Sequence, residues 1–334
     1  MSQATTAGPT TPERLQTLYL PIREELARVE EILRAELSSG DPFVDRLVQH
    51  GFRLSGKRLR PALLLLSAKA CGAIAQDHIV LAAVMEMIHT ATLIHDDVLD
   101  EASLRRHRQT VNARWDNEAS VLLGDYLFAR SMCLASRLES TFASRAISDA
   151  SRMMCEGELR QVGRRGDFGL REEEYLEIVS GKTAALCACC CRLGAHHAGA
   201  DPELREAFGR FGQLFGIAFQ ITDDVLDLCG NETVAGKSLG TDLNKQKPTL
   251  PVIRLLSQVQ DRERAELIAI LSRSDDHRSE ALRPWLERYD AVGYAQQTAG
   301  RYIRRAQQEL ERAPPSPARE TLRQLADFVL LRDQ

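Results

Sequence analysis

Residues 79–94 read Ile-Val-Leu-Ala-Ala-Val-Met-Glu-Met-Ile-His-Thr-Ala-Thr-Leu-Ile and lead directly into His95-Asp96-Asp97-Val98-Leu99-Asp100. The stretch is rich in helix formers, and its apolar residues recur at helical spacing. Pro202 to Ile221 has the same character and ends in Thr222-Asp223-Asp224-Val225-Leu226-Asp227. Elsewhere few runs alternate at period two, and none is bounded like a hairpin. Thr11-Pro12-Glu13, Asp41-Pro42, Asp201-Pro202-Glu203 and Ser316-Pro317 each set a capping oxygen before a proline suited to the first helical position. The breaks at Ser38–Gly40, Arg105–Asn112, Gly163–Gly169 and Gly230–Lys247 are too modest to be domain linkers. The sequence therefore predicts a single large all-α domain over residues 1–334, with the first dozen residues frayed.

Composition bounds the function. The 334 residues carry 43 Lys and Arg against 47 Asp and Glu, a net charge of -4, which argues against nucleic acid as a partner. Each long apolar stretch is broken by a charge or too short to span a bilayer, so no transmembrane segment is expected. The opening MSQATTAGPTTPERL lacks a basic patch followed by an apolar core, and a cytoplasmic location is expected. Cys187, Cys189, Cys190 and Cys191 lack the paired spacing of a zinc site and read as small packing residues.

The pentapeptide Asp-Asp-Val-Leu-Asp occurs twice, at 96–100 and 223–227. For 21 aspartates placed at random, roughly 0.08 copies of D-D-x-x-D are expected. On a helix the first and last aspartates share a face, about 5–6 Å apart at Cβ. Like charges at that spacing weaken the helix unless a cation lies between them. Oxygen-only clusters of this kind suit Mg²⁺, which keeps several waters and takes phosphate oxygens as further ligands. Two such clusters across a cleft would grip a diphosphate through metal.

Cationic residues flank both motifs. Gly56-Lys57-Arg58-Leu59-Arg60-Pro61 places Lys57 and Arg60 three apart, and Arg105 and Arg106 follow the first motif by about one turn. Lys237, Lys245 and Lys247 follow the second, in a loop that could close over a ligand. Guanidinium forks match phosphate oxygens bidentately, so two anionic ligands are indicated, one held through metal and one by Lys and Arg.

In this order GKRLRP, HTATLIHDDVLDEASLRR, GKTAAL, FQITDDVLD and GKSLGTDLNKQKPTLP, the chain from about Phe43 to Pro251 resembles the trans-type polyprenyl diphosphate synthases. The resemblance implies mostly antiparallel helices around a central active-site cavity, usually in a homodimer. It implies that Asp96, Asp97, Asp100, Asp223 and Asp224 hold Mg²⁺ on an allylic diphosphate, with Asp227 completing the second motif. Arg105, Lys182, Lys237 and Lys247 would contact that diphosphate. Lys57, Arg60, His89 and Arg106 would bind isopentenyl diphosphate, Phe219 would pack on its hydrocarbon, and Thr183 and Gln220 would lie near the reacting carbons.

Ala91 and Thr92 lie one turn before Asp96, on the wall along which a growing product would run. Neither is bulky enough to block it, which favours a long product of the octaprenyl class over a farnesyl or geranylgeranyl one. Met87, Ile88, Met153 and Met154 are the candidates for the floor. Such a product needs a lipid destination, and peripheral membrane association fits it. A class I terpene cyclase would carry a different second motif, with Asn and Ser. A phosphohydrolase built on His95-Asp96 would need further histidines, and a non-catalytic regulatory subunit would carry degenerate aspartate motifs.

Overall fold

The computed structural model describes residues 11–54, 56–139, 141–229, 240–273 and 278–331. Its helices, in chain order, are α1 (Thr11–Leu18), α2 (Arg23–Glu36), α3 (Pro42–Leu54), α4 (Leu59–Cys71), α5 (Gln76–Leu99) and α6 (Val111–Arg114). There follow α7 (Asn117–Ser136), α8 (Thr141–Gly163), α9 (Glu172–Val179), α10 (Ala185–His197), α11 (Pro202–Cys229) and α12 (Thr241–Asn244). The C-terminal third comprises α13 (Leu250–Gln258), α14 (Asp261–Leu271), α15 (Arg278–Arg288), α16 (Ala291–Leu310) and α17 (Pro317–Leu330). A π turn, Ser180–Ala184, joins α9 to α10 without a break.

The all-α reading holds, and its caps are visible. Asp41 Oδ1 accepts from the Phe43 and Val44 amides, Asp201 Oδ1 from Leu204, and Ser316 Oγ from Arg319. Each satisfies N–H groups that the first helical turn leaves unpaired. The Thr11 and Pro12 side chains, and residues 1–10, lie outside the described residues.

One short sheet departs from the sequence reading. Leu104–Arg105 pairs antiparallel with Arg108–Gln109, and Arg106 and His107 between them both have positive φ, 52° and 60°. That is a two-residue hairpin turn, usually built from Asn and Gly, so its Arg-His sequence hid it. Arg105 and Arg106 therefore do not continue the helix beyond Asp100; the hairpin folds them back over it.

The core is formed where α4, α5, α10 and α11 stack side by side. Leu63 to Leu66 are wholly buried in α4, as are Phe208, Phe211 and Phe215 in α11. The four cysteines of α10 are buried too, and burial pushes their thiols up, as packing residues require. A smaller apolar cluster, including Leu255, Leu267 and Leu282, closes α13, α14 and α15 on themselves. The segments Gln76–Leu99 and Glu172–His197 are long and apolar enough to cross a membrane, contrary to the sequence reading. Within the fold 72% and 83% of these apolar windows are buried, so their hydrophobicity is spent on packing.

α10 lies so close to α4 that a Cβ on Gly194 would stand 2.2 Å from the Leu64 carbonyl oxygen. Neither partner is a flexible side-chain end, so Gly194→Ala must push the two helices apart. It should cost about 1–3 kcal/mol, read as a lower urea midpoint with an unchanged slope.

Candidate active site

Both aspartate motifs sit at the C-terminal ends of long helices, α5 and α11. Backbone carbonyls already make those ends negative, so carboxylates there are doubly unfavourable without a cation. The six aspartates divide into two sets. Asp96, Asp100 and Asp223 are half-buried, whereas Asp97, Asp224 and Asp227 are buried and held by donors of the protein.

Asp97 Oδ1 receives the Arg105 guanidinium through Nε at 2.8 Å and Nη2 at 2.7 Å. Asp224 takes the Tyr175 hydroxyl on Oδ2 at 2.6 Å and the Gln220 amide Nε2 on Oδ1 at 2.7 Å. Asp227 accepts from the Thr241 hydroxyl at 2.9 Å and the Asp242 amide at 3.0 Å. The second member of each motif thus fixes neighbouring side chains. Burial, and then the Asp242 charge, raise the Asp224 carboxyl above its usual range, with the Tyr175 and Gln220 donors opposing. Asp96 is pushed up to about 6, chiefly by burial, with Lys182 opposing and Glu158 and Asp100 adding. Burial disfavours the charged form of both carboxylates, which a nearby cation would restore, and all-oxygen donors fit a hard divalent one. Among the described residues no three carboxylates, histidines or cysteines are grouped so as to hold a metal ion by themselves.

The cations bridge the two motifs. Lys247 Nζ lies 2.8 Å from Asp100 and 3.8 Å from Asp242, whose amide holds Asp227. Lys245 pairs with Glu101 at 2.5 Å. In the π turn, Lys182 Nζ meets Glu158 at 2.6 Å and Gln161 at 2.7 Å. Burial alone would lower its ammonium; the Asp96 and Glu158 charges outweigh that and raise it. Thr183, the next residue, donates to Gln220 Oε1 at 2.7 Å, so the π turn reaches both motifs at once. Single π turns inside α-helices often mark functional sites. Lys237 lies outside the described residues. Glu158, Gln161, Tyr175, Thr241 and Asp242 were not signalled by the sequence, because their partners lie far off along the chain.

A second, cationic corner forms opposite. Arg60 Nη1–H donates to His89 Nε2 at 3.0 Å. Burial first, and then Arg60, Arg105, Arg106 and Arg58, hold His89 well below its ordinary value, consistent with a neutral acceptor. The Arg106 guanidinium lies on Gly56, where a Cβ would fall 1.5 Å from its Nη1. Lys57, the next residue, accepts the Tyr19 hydroxyl on its carbonyl at 2.9 Å. Arg58 turns away at φ 52°, pairing with Glu30 at 2.5 Å and Glu86 at 2.8 Å and packing on Phe52. GKRLRP therefore contributes Arg60 to the corner and Arg58 to the scaffold.

Along the apolar side, Phe219 continues a ladder of rings with Phe215 and Phe211 on one face of α11. Ala91 is buried and Thr92 half-buried, its hydroxyl donating to the His89 carbonyl at 2.8 Å. Met87, Ile88 and Met154 are buried, while Met153 lines an open groove of about 390 Å³ between α8, α10 and α11. His95 points to α7, where Nε2–H donates to the Val121 carbonyl at 3.1 Å, and no second histidine joins Asp96 among the described residues.

The polyprenyl synthetase family pattern matches residues 41–287. The chain is 36% identical over 320 residues to an all-trans-nonaprenyl-diphosphate synthase (geranyl-diphosphate specific) of Rhodobacter capsulatus, covering 96% of this chain and 98% of that one. It is 35% identical over 317 residues to a short chain isoprenyl diphosphate synthase of Methanothermobacter thermautotrophicus, covering 93% and 98%. The crystal structure of a Caulobacter crescentus polyprenyl synthase complexed with calcium and isoprenyl diphosphate superposes with a TM-score of 0.91 at 34% identity, covering 96% and 98%. With the fold, the paired aspartate motifs and the two cationic groups in place, the chain belongs to the polyprenyl synthetase family, whose members are prenyltransferases.

Proposed function

We propose that the protein condenses isopentenyl diphosphate with an allylic diphosphate to give a long-chain polyprenyl diphosphate. The observation that carries this is that the two identical aspartate motifs are linked, through Thr183–Gln220–Asp224 beside Lys182 and through Asp100–Lys247–Asp242–Asp227, with a separate Arg60–His89–Arg106 group of donors.

Asp96, Asp100 and Asp223 would hold Mg²⁺, with Asp97, Asp224 and Asp227 orienting the surrounding donors. Bound Mg²⁺ would supply positive charge to the departing pyrophosphate. Lys182, Lys247 and Arg105 exchange their internal carboxylate partners for diphosphate oxygens, and Lys237 belongs with them by its place in the sequence. Lys57, Arg60, His89 and Arg106 orient isopentenyl diphosphate, with Phe219 against its hydrocarbon. Thr183 and Gln220 offer oxygen dipoles beside the cation left when the allylic C–O bond breaks. The isopentenyl double bond attacks that cation, a C–C bond forms, and a proton leaves the adduct to restore an allylic double bond. This requires no dedicated base, since the released pyrophosphate can accept the proton.

A homodimer fits the surface. Val121, Leu122 and Phe128 on α7 and Leu159 and Val162 on α8 are exposed, with Leu122 60% and Leu159 71% accessible. Apolar side chains grouped on adjacent helices mark an association face. We place the enzyme in the cytoplasm, delivering its product to a membrane surface.

Asp96→Ala should lower Mg²⁺-dependent condensation by at least about 100-fold, with unchanged helical circular dichroism; near-normal turnover would remove metal binding from that motif. Ala91→Phe should shorten the product by one or more isoprene units, resolved by chromatography of the dephosphorylated products. Leu122→Glu should shift sedimentation from dimer to monomer; a wild-type monomer, or an unaffected dimer, would move the interface elsewhere.

A further inference from the structure

Four side chains form one continuous hydrogen-bonded chain behind the reacting site. Thr183 Oγ1–H donates to Gln220 Oε1 at 2.7 Å, Gln220 Nε2–H to Asp224 Oδ1 at 2.7 Å, and Tyr175 Oη–H to Asp224 Oδ2 at 2.6 Å. Tyr175 comes from α9, Thr183 from the π turn, and Gln220 and Asp224 from successive turns of α11.

The direction of each bond is set by what each group is able to do. A carboxylate only accepts, so Asp224 draws the amide N–H of Gln220 and the hydroxyl of Tyr175 toward itself. With Nε2 committed there, the Gln220 carbonyl must face Thr183, and Thr183 must donate to it. The reversed amide would set two acceptors, Oε1 and Oδ1, against each other. The Thr183 hydrogen is thereby tied up, and its oxygen has only lone pairs left to present. Tyr175 is buried to 3% exposure, and its hydroxyl satisfies an oxygen that would otherwise be a buried acceptor without a donor.

We propose that Tyr175 is a positioning residue for the condensation. By holding Asp224 it fixes the Gln220 amide, which turns the Thr183 lone pairs toward the allylic cation. This rests on the function proposed above, and it acts at one remove from the substrate. Without the Tyr175 hydroxyl the carboxylate is free to rotate and the amide to turn, and the Thr183 hydrogen is free to swing toward the positive charge it should avoid.

The test compares wild type with Tyr175→Phe, using isopentenyl and farnesyl diphosphates and a Mg²⁺ titration. We expect kcat to fall by about tenfold or more, with both KM values and the half-saturating Mg²⁺ concentration within twofold of wild type. In a Thr183→Val background the same substitution should have no further effect, since the chain then has nothing to orient. A kcat within twofold of wild type overturns the proposal. A loss restored by excess Mg²⁺ also overturns it, because Tyr175 would then act through the metal. So does full additivity with Thr183→Val, which marks a general packing defect. If Tyr175→Phe does not fold, three analogues at 175 decide, with 3,5-difluorotyrosine as the hydroxyl-bearing reference. There 4-aminophenylalanine, whose N–H keeps a donor on Asp224, should retain kcat within about threefold of the difluorotyrosine enzyme, while 4-methylphenylalanine, of similar shape without a donor, should lose about tenfold; equal kcat for the donor and non-donor analogues overturns the proposal. Wild type that condenses nothing would refute the proposed function itself, an outcome distinct from all of these.

Discussion

Six carboxylates at the negative ends of two helices are the constraint that the rest of the structure answers. The carbonyls of α5 and α11 converge on the same cleft as the aspartates, so each helix adds to the charge that its own motif carries. The fold answers by turning cations inward. Arg105 covers Asp97, Lys247 covers Asp100, and Lys182 stands between Glu158 and Asp96. These pairs are internal stand-ins for ligand charge. On the proposed function, binding metal and diphosphate would exchange one set of ion pairs for another.

The two halves of the site differ in how they are prepared. On the proposed function, the aspartate half would change partners on binding. The Arg60–His89–Arg106 corner is built on scaffold that has no such choice to make. Arg58 is locked between Glu30 and Glu86, and Arg106 reaches over a glycine that admits no side chain. Rigid donors lose little freedom when an anion arrives, so this corner is pre-organised for the diphosphate proposed to bind there.

How far the site was legible depended on the range of the interaction. The doubled pentapeptide, the helical periodicity and the proline-linked caps are local, and they located α3, α5, α11 and α17. The hairpin was invisible because Arg106 and His107 adopt positive φ without the glycine or asparagine that announces such turns. The aspartates looked equivalent in sequence. Only the fold separates Asp96, Asp100 and Asp223 from the three that hold Tyr175, Gln220, Arg105 and Thr241 in place. Those partners lie 8 to 49 residues away, apart from Gln220, and no short-range pattern encodes them. Apolar run length alone does not decide the matter, because the most buried helices of a large α-domain have the hydropathy of a membrane span.

The π turn has a consequence of phase. A regular helix from Glu172 to His197 would fix the angular relation between every residue at its start and every residue at its end. One extra residue in the turn rotates the remainder of the helix by about 100°. Tyr175, before the turn, faces α11 and its carboxylate, while Gly194, after it, faces the backbone of α4. Register within a single rod thus sets its chemical face and its packing face independently. The loss of any one residue between them would turn one face by about 100° against the other, even though no side chain on either face had been replaced.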